Sequence, residues 1–369
     1  MYSRYIIISI FILIIIFTSG GLVYISTLYL GLSKYLYIKN VLTTIGVILP
    51  IMFMGALLYG IKHFSLINSY IYTIGATWLG ILNYLLLATF IISILFLTKN
   101  YFNLSIPVIL ISWILIFCAV ITTIIGIYNA RNIRITNTEI PSSELAPMWK
   151  DKKIVFFSDI HLGMIYREKS MKKIVDLVNK ENPDIIFIVG DLIDGPSFPY
   201  AKGLAPIQEL KASFGSYYVE GNHEKYSGEY DLFRSNFPKN LNDITGKKVI
   251  VNDTQIIGIP NSGMKTKEDI DRELSSVSYD KSKPSIILMH DPKDTPFLAE
   301  NNATLTLSGH THSGQFFPLN LLVKKIAGKY FYGLTSTQNT KSVTTSGLGT
   351  AMVPIRVGTI PEIVVLHIK

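Results

Sequence analysis

No aspartate or glutamate occurs before Glu139 in this chain of 369 residues. The same stretch holds only seven bases, Arg4, Lys34, Lys39, Lys62, Lys99, Arg131 and Arg134. The other 27 of the 34 bases face all 26 acids, so the net charge of +8 resides almost wholly in the N-terminal third and the remainder is nearly neutral. Proteins that grip nucleic acid concentrate Lys and Arg on the domain that touches phosphate, and a neutral domain argues against that partner. Cysteine is almost missing as well, since Cys118 stands alone inside an apolar run. A disulfide framework, a thiolate metal site and a cysteine nucleophile in the polar part are excluded together. No internal repeat or low-complexity segment interrupts the chain.

What is present in excess is apolar residue, 49% of the chain at a mean hydropathy of +0.36. Four uncharged or nearly uncharged runs, Tyr5 to Leu30, Val41 to Gly60, Tyr70 to Leu97 and Ile106 to Tyr128, meet the requirement of about 20 apolar helical residues for crossing a bilayer. The first follows Arg4 like a signal peptide, but it is too long and no small-residue cleavage pattern closes it. Gly75, Gly80, Asn83 and Pro50 inside the spans suit helix packing. No ionisable residue lies deep within a span, which counts against an ion pathway. Residues 1–130 therefore read as a four-helix transmembrane region that serves as anchor or lipid-facing platform. Four crossings return the chain to its starting side. That side holds Arg4, Lys62, Arg131 and Arg134, followed by Lys150, Lys152 and Lys153, against Lys34, Lys39 and Lys99 opposite. The excess of bases leans toward a cytoplasmic C-terminal domain.

Residues 131–369 change texture. Strands are expected at Ile133–Ile140, Lys153–Ser158, Ile185–Val189, Ser216–Val219, Lys248–Val251, Gln255–Ile259, Ser285–Met289, Thr304–Leu307, Val343–Thr345 and Ile363–Ile368. Helical spacing of Met171, Ile174, Val175 and Val178 predicts a helix from Glu168 to Asn182, stopped by Pro183. Weaker helices are expected at Leu204–Ala212 and Lys267–Ser275. Strands alternating with helices, then strands alone, indicate an α/β domain. Because Ile133 already reads as strand, only a few residues separate the last span from this domain.

Five segments place metal-competent side chains just after apolar strands: Asp159 with His161, Gly190-Asp191, Gly221-Asn222-His223-Glu224, His290-Asp291, and Gly309-His310-Thr311-His312. Ligands of open α/β sheets bind at strand ends, so these loops can converge although they span more than 150 residues. Five of the seven histidines lie in them; His63 and His367 do not. Imidazole with carboxylate suits manganese, iron, zinc or nickel better than calcium or magnesium. On an extended strand end residues i and i+2 share a side, which would pair Asp159 with His161 and His310 with His312. So many ligands exceed the needs of one ion. Two ions about 3.5 to 4 Å apart would use them, with Asp191 as the natural bridge.

The ordered set resembles the calcineurin-like metallophosphoesterase superfamily over roughly residues 131–369. The string Ser308-Gly309-His310-Thr311-His312-Ser313-Gly314-Gln315, with Ser346-Gly347-Leu348-Gly349-Thr350 and Pro354-Ile355-Arg356, is similar to a branch of bacterial membrane-associated phosphodiesterases that includes enzymes splitting UDP-2,3-diacylglucosamine. Ser313 stands where that branch commonly has Gly. The resemblance implies a two-sheet β-sandwich flanked by helices and two divalent cations, manganese first. One ion would take Asp159, His161, the bridging Asp191 and His312; the other would take Asp191, Asn222, His290 and His310. His223 would stay off the metals, facing the phosphoryl oxygens or protonating the leaving oxygen while metal-activated hydroxide attacks phosphorus. Glu224 and Asp291 are candidates for orienting imidazoles, or ordinary turn carboxylates; Asp194 is a candidate supporting residue or a loop cap.

After the last histidines, Gln315 to Gly333 mixes Phe316, Phe317, Leu319, Leu321, Leu322, Val323, Ile326, Tyr330, Phe331 and Tyr332 with Lys324, Lys325 and Lys329. Such a segment either dips into a membrane interface or packs against the domain's own core. A catalytic domain tied so closely to a bilayer suggests membrane lipids as partners, with a lipid or nucleotide-lipid phosphodiester or pyrophosphate as substrate. Soluble nucleotides and phosphoproteins are the rival substrates, although Asp194-Gly195-Pro196 replaces the Asp-Arg-Gly usual in the phosphoprotein branch. A metal-binding receptor or scaffold is the non-enzyme alternative. A bacterial inner-membrane location follows from the branch resemblance.

Overall fold

The computed structural model describes residues 2–60, 63–195, 198–261, 263 and 265–369, with backbone only at residues 2–12 and 144. Lys62 and Pro196, both used above, lie outside the described residues. Contacts divide the chain into two units: the chain through Tyr128 together with Met352–Val357, and Asn129–Ala351 together with Gly358–Lys369.

The first unit contains α1 (Tyr2–Tyr29), α2 (Leu36–Gly60), α3 (Leu66–Phe102) and α4 (Val108–Asn129). Among the described residues α2, α3 and α4 are long and apolar enough to cross a membrane, while Leu13–Tyr29 forms a shorter apolar helix. The helices outrun the apolar stretches that mark them. Lys39 lies in the first turns of α2 and Lys99 in the last turn of α3, because a lysine stem can follow an apolar surface while its ammonium stays wet. Buried positions are mainly small ones, such as Ala76, Ala88, Ser112 and Ala119, as expected where helices associate in lipid. A Cβ added at Gly75 would lie 2.8 Å from Phe53 Cα, so this glycine permits close backbone approach of α2 and α3. The short segment Met352–Val357 joins this unit through Arg356, whose N–H donates to Gly126 O at 2.8 Å.

The second unit runs β1 (Arg134–Ile140), β2 (Lys153–Phe157), α5 (Glu168–Lys180), β3 (Ile185–Val189), α6 (Tyr200–Leu204), β4 (Ser216–Val219), α7 (Asn222–Tyr226), α8 (Tyr230–Ser235), β5 (Leu241–Asp243), β6 (Lys248–Val251), β7 (Thr254–Ile259), α9 (Lys267–Ser276), β8 (Ser285–Met289), α10 (Thr295–Glu300), β9 (Leu305–Ser308), α11 (Leu319–Ala327), β10 (Gly333–Thr337), β11 (Thr340–Thr344) and β12 (Glu362–Ile368). Among the described residues these strands form two mixed sheets, ordered β1-β12-β2-β3-β4-β5 and β10-β11-β9-β8-β7-β6. Strand alternation builds the sandwich. Ile154 and Phe156 of β2, Phe187 and Val189 of β3, Ile286 and Leu288 of β8, and Leu305 and Leu307 of β9 share one core between the sheets. Ile257, Ile287 and Met289 point to the opposite face and meet Ile270 and Leu274 of α9 and Leu298 of α10.

The expected helix at Leu204–Ala212 is instead α6 followed by a 3-10 turn at Ala205–Glu209, since Pro206 interrupts the amide ladder. Strands β5 and β10 carry too little apolar pattern to be seen in advance, because each lies at a sheet edge. Phe156→Ala is expected to destabilise the protein by about 3–5 kcal/mol, whereas Ile250→Ala, at an exposed edge position, should change stability by less than ~0.5 kcal/mol. Chemical unfolding of the detergent-purified chain, followed by tryptophan fluorescence, measures the difference.

Candidate metal centre

Strands β2 and β3 are parallel neighbours in one sheet, and β8 and β9 are parallel neighbours in the other. The loops leaving their C-terminal ends carry Asp159 and His161, Asp191, His290, and His310 and His312. The loop after β4 leads into α7, which carries Asn222 and His223. The structure brings all eight sequence-predicted residues to one place. His161 Nε2 lies 3.1 Å from His312 Nε2, and His290 Nε2 lies 3.2 Å from His310 Nδ1. Asp191 Oδ2 is 3.0 Å from His290 Nε2, 3.9 Å from His161 Nε2 and 4.0 Å from His223 Nε2. Asp159 Oδ1 is 3.4 Å from His312 Nε2 and 3.8 Å from His290 Nε2. Asn222 follows Gly221, and the N–H of His223 donates to Asp191 Oδ1 at 2.9 Å.

The convergence is achieved differently from the expected i, i+2 alternation. Asp159, His161, Asp191, His310 and His312 all have positive φ, between 49° and 69°. These side chains project from left-handed turns just beyond the strands, at a cost of order 1–3 kcal/mol each. Neighbouring loops hold them there. Asp159 N–H donates to Gly190 O at 3.0 Å, His161 N–H to Asp191 O at 3.1 Å, and Gly309 N–H to His290 O at 3.0 Å. Gly190, at φ 79°, is needed twice over, because a Cβ there would also lie 2.7 Å from His290 Cγ. Ser313 adopts φ 49°, so the residue that departs from the resembled branch occupies a conformation glycine would enter more cheaply.

The electrostatics of the cluster call for positive charge. Burial opposes ionisation of Asp191, yet His290, His161 and the other imidazoles around it hold its carboxyl well below the ordinary carboxylate range. Against its own burial, His290 is pushed up to about 10 by Asp191 and Asp159. The Nδ1 of His290 pairs with Val189 O at 2.9 Å, which leaves Nε2 facing a carboxylate that accepts but cannot donate. A proton or a metal cation must lie between them. Asn222 Oδ1 is buried with no hydrogen-bond partner, an acceptor that a cation would satisfy. Among the described residues three groupings have ligand atoms within 4.8 Å of one another: Asp159 with His161 and His312, Asp191 with His290 and His310, and His161 with Asp194 and His223. Their nitrogen and oxygen donors fit divalent first-row metals.

The sequence model for the calcineurin-like phosphoesterase matches residues 152–314, which contain every residue of this cluster. An uncharacterised metallophosphoesterase of Campylobacter jejuni is 33% identical over 68% of this chain and 68% of its own length. The chain belongs to the calcineurin-like metallophosphoesterase family. It is a metal-dependent phosphoester hydrolase. An uncharacterised metallophosphoesterase of Helicobacter pylori is 33% identical over 58% of this chain and 60% of its own. A Bos taurus transmembrane protein with a metallophosphoesterase domain is 31% identical over 68% of this chain and 60% of its own. The matches thus span 60% to 68% of these relatives' own length.

Three supporting carboxylates of this metallophosphoesterase become distinguishable only in three dimensions. Asp194 Oδ1 meets His223 Nδ1 at 2.9 Å. Burial works against charge on His223, but that hydrogen bond and the Asp191 carboxylate push it up to about 9. Glu224 does not orient an imidazole. Fully buried, it accepts the backbone N–H groups of Leu192 at 2.6 Å, Gly221 at 2.8 Å and Asp191 at 3.2 Å, tying the β3 loop to the start of α7. Asp291 accepts from Lys293 N–H at 3.1 Å and lies 3.8 Å from His310 Nε2. The small residues of Ser346–Thr350 also find a purpose, with Leu348 N–H donating to Ser158 O at 3.0 Å beside Asp159.

Glu224→Gln places amide hydrogens where backbone N–H groups must be accepted. It is expected to weaken divalent-cation binding roughly 10–100-fold, measured as metal content at fixed free metal, with circular dichroism unchanged. Undiminished metal content would show that the loop needs no such tie.

Proposed function

We propose that this metallophosphoesterase is a membrane-anchored dimetal phosphodiesterase or pyrophosphatase acting on a lipid or nucleotide-lipid. The observation that carries the reading is a largely buried cluster of metal-competent side chains in a chain whose α4 ends at Asn129 and whose β1 begins at Arg134. Four intervening residues reach at most roughly 18 Å, and such a tether favours a substrate that is itself in the membrane.

In this reading Asp159, His161, Asp191 and His312 would hold one cation, and Asp191, Asn222, His290 and His310 would hold the other. The cations supply Lewis acidity and a water acidic enough to act as nucleophile at neutral pH. The residues of the chain do the rest. Asp159 and Asp191 contribute two negative charges against four from two divalent ions, so the site stays positive and attracts a phosphodiester. Asp194 fixes the ring of His223 and favours its protonated form, which can donate to the leaving oxygen. Two carboxylates, an amide oxygen and four imidazoles are compatible with manganese, iron, zinc or nickel, and manganese is put first on the family resemblance.

With α1 as a fourth crossing, the chain sits in the bacterial cell membrane, its catalytic unit on the cytoplasmic side where Arg131, Arg134, Lys150, Lys152 and Lys153 lie. A membrane-impermeant thiol reagent should then leave Ile250→Cys unlabelled in intact cells and label it in inverted vesicles. Labelling in intact cells would reverse the assigned side.

Detergent-purified protein should contain two divalent ions per chain and hydrolyse at least one member of a panel of lipid phosphodiesters and pyrophosphates. Asp191→Ala should lose metal and activity together. His223→Ala should slow hydrolysis by roughly 10²–10⁴-fold for a lipid alkoxide or phosphate leaving group, and less for p-nitrophenolate, which needs no proton. Variants that match the native chain on every substrate would overturn the residue assignment. Hydrolysis confined to soluble nucleotides would overturn the lipid reading.

A further inference from the structure

The helix α11 begins seven residues after His312 and places Leu319, Leu322 and Ile326 at helical spacing. A helix on the surface of a soluble domain hides such a stripe against the core. None of the nine residues of α11 is buried, and Leu321, Leu322 and Ile326 are 58%, 55% and 77% exposed. Of the two alternatives left open for this segment, packing into the domain's own core holds for Gln315 and Tyr330 at its ends but not for α11 between them. Lys324 and Lys325 close the helix and Lys329 follows it.

Although its outer face is bare, the segment is held by hydrogen bonds at both ends, after the helix by the ligand turn itself. Before the helix, Gln315 Oε1 accepts from Ala351 N–H at 2.7 Å and Gln315 O accepts from Thr359 Oγ1 at 2.8 Å. After it, Phe331 O accepts from Thr311 Oγ1 at 2.8 Å, and Thr311 stands between His310 and His312. The turn that carries two metal-ligand candidates thus also carries an exposed apolar helix.

We propose that α11 is a docking helix for an anionic lipid bilayer, inserting Leu322 and Ile326 among the acyl chains beside the site while Lys324, Lys325 and Lys329 meet phosphate headgroups. Two features select a bilayer as the occupant. The same chain carries membrane-spanning helices joined to this unit by only four residues, which keeps a bilayer within reach. Apolar residues interleaved with bases complement an anionic interface, each base strengthening partition roughly fivefold, whereas two lysines on the helix and a third just after it repel a second copy of it. The proposal rests on the lipid reading only in making the docked bilayer the source of substrate.

The test uses the full chain in nanodiscs of phosphatidylcholine alone or with about one third phosphatidylglycerol. With Cys118→Ser as background, an environment-sensitive fluorophore is attached at Leu322→Cys and, as control, at Ile250→Cys. The label at 322 should shift to the blue, be quenched by acyl-chain spin labels, and respond more strongly in anionic discs. The label at 250 should remain in water. The paired change Leu322→Asp with Ile326→Asp should cut turnover of a disc-embedded phosphodiester by about tenfold or more while leaving hydrolysis of bis(p-nitrophenyl) phosphate unchanged, which also certifies the fold. A label at 322 as wet as the control, or cross-linking of that position to a second copy, overturns the docking. If the label inserts but no lipid phosphodiester is cleaved, the docking holds and the lipid-substrate reading fails. If lipid is cleaved equally by the paired variant with a wet label, the reverse is true.

Discussion

The carboxylate of Asp191, buried 3.0 Å from His290 and within 4.0 Å of His161 and His223, sets the terms on which the whole centre can exist. Removing a carboxylate from water costs several kcal/mol unless compensating charge is close. Imidazoles from three other loops provide it, and divalent cations provide more of it. The same charge therefore draws the loops together and makes their meeting point a metal site. The pairing is mutual, since without Asp191 and Asp159 the buried His290 would have no reason to carry charge.

Holding that carboxylate in place falls to the backbone. Five site residues occupy left-handed turns, which the strands could not tolerate and the loops tolerate only because each is tied to its neighbour. Rigid parallel strands behind them, β2 beside β3 and β8 beside β9, convert local strain into fixed direction. Glu224 closes the arrangement from below, its two oxygens shared among backbone amides of two loops. Its carboxyl is pushed up to about 7 by burial and by Asp191, so the tie and the metal site are electrostatically linked. Cations that neutralise Asp191 also ease the charge on the residue that positions it.

A second constraint acts from the membrane side. Four residues separate α4 from β1, and the exposed helix α11 leads to Phe331, whose carbonyl accepts from Thr311 between two of the ligand candidates. Under the proposed lipid reading, a short link and an exposed apolar helix would let binding energy be spent on orienting a headgroup rather than on capturing it from bulk water.

Much of this was readable in one dimension. Nearly unbroken apolar runs in Lys153–Phe157, Ile185–Val189 and Ser285–Met289 mark buried strands because a strand covered on both faces needs apolar side chains at every position. Absence of acid before Glu139 marks the membrane part because ionised carboxylates do not enter hydrocarbon. The histidines and acids after those strands were visible as ligands because their residue types bond metals wherever they meet. Other features depend on contacts between distant segments. The left-handed turns, the partnership of Asp194 with His223 and the backbone amides that Glu224 accepts are examples. The return of Met352–Val357 to the helical unit and the bareness of α11 are others. Composition and period record what each residue prefers; only the packed chain decides which preferences are satisfied, and by whom.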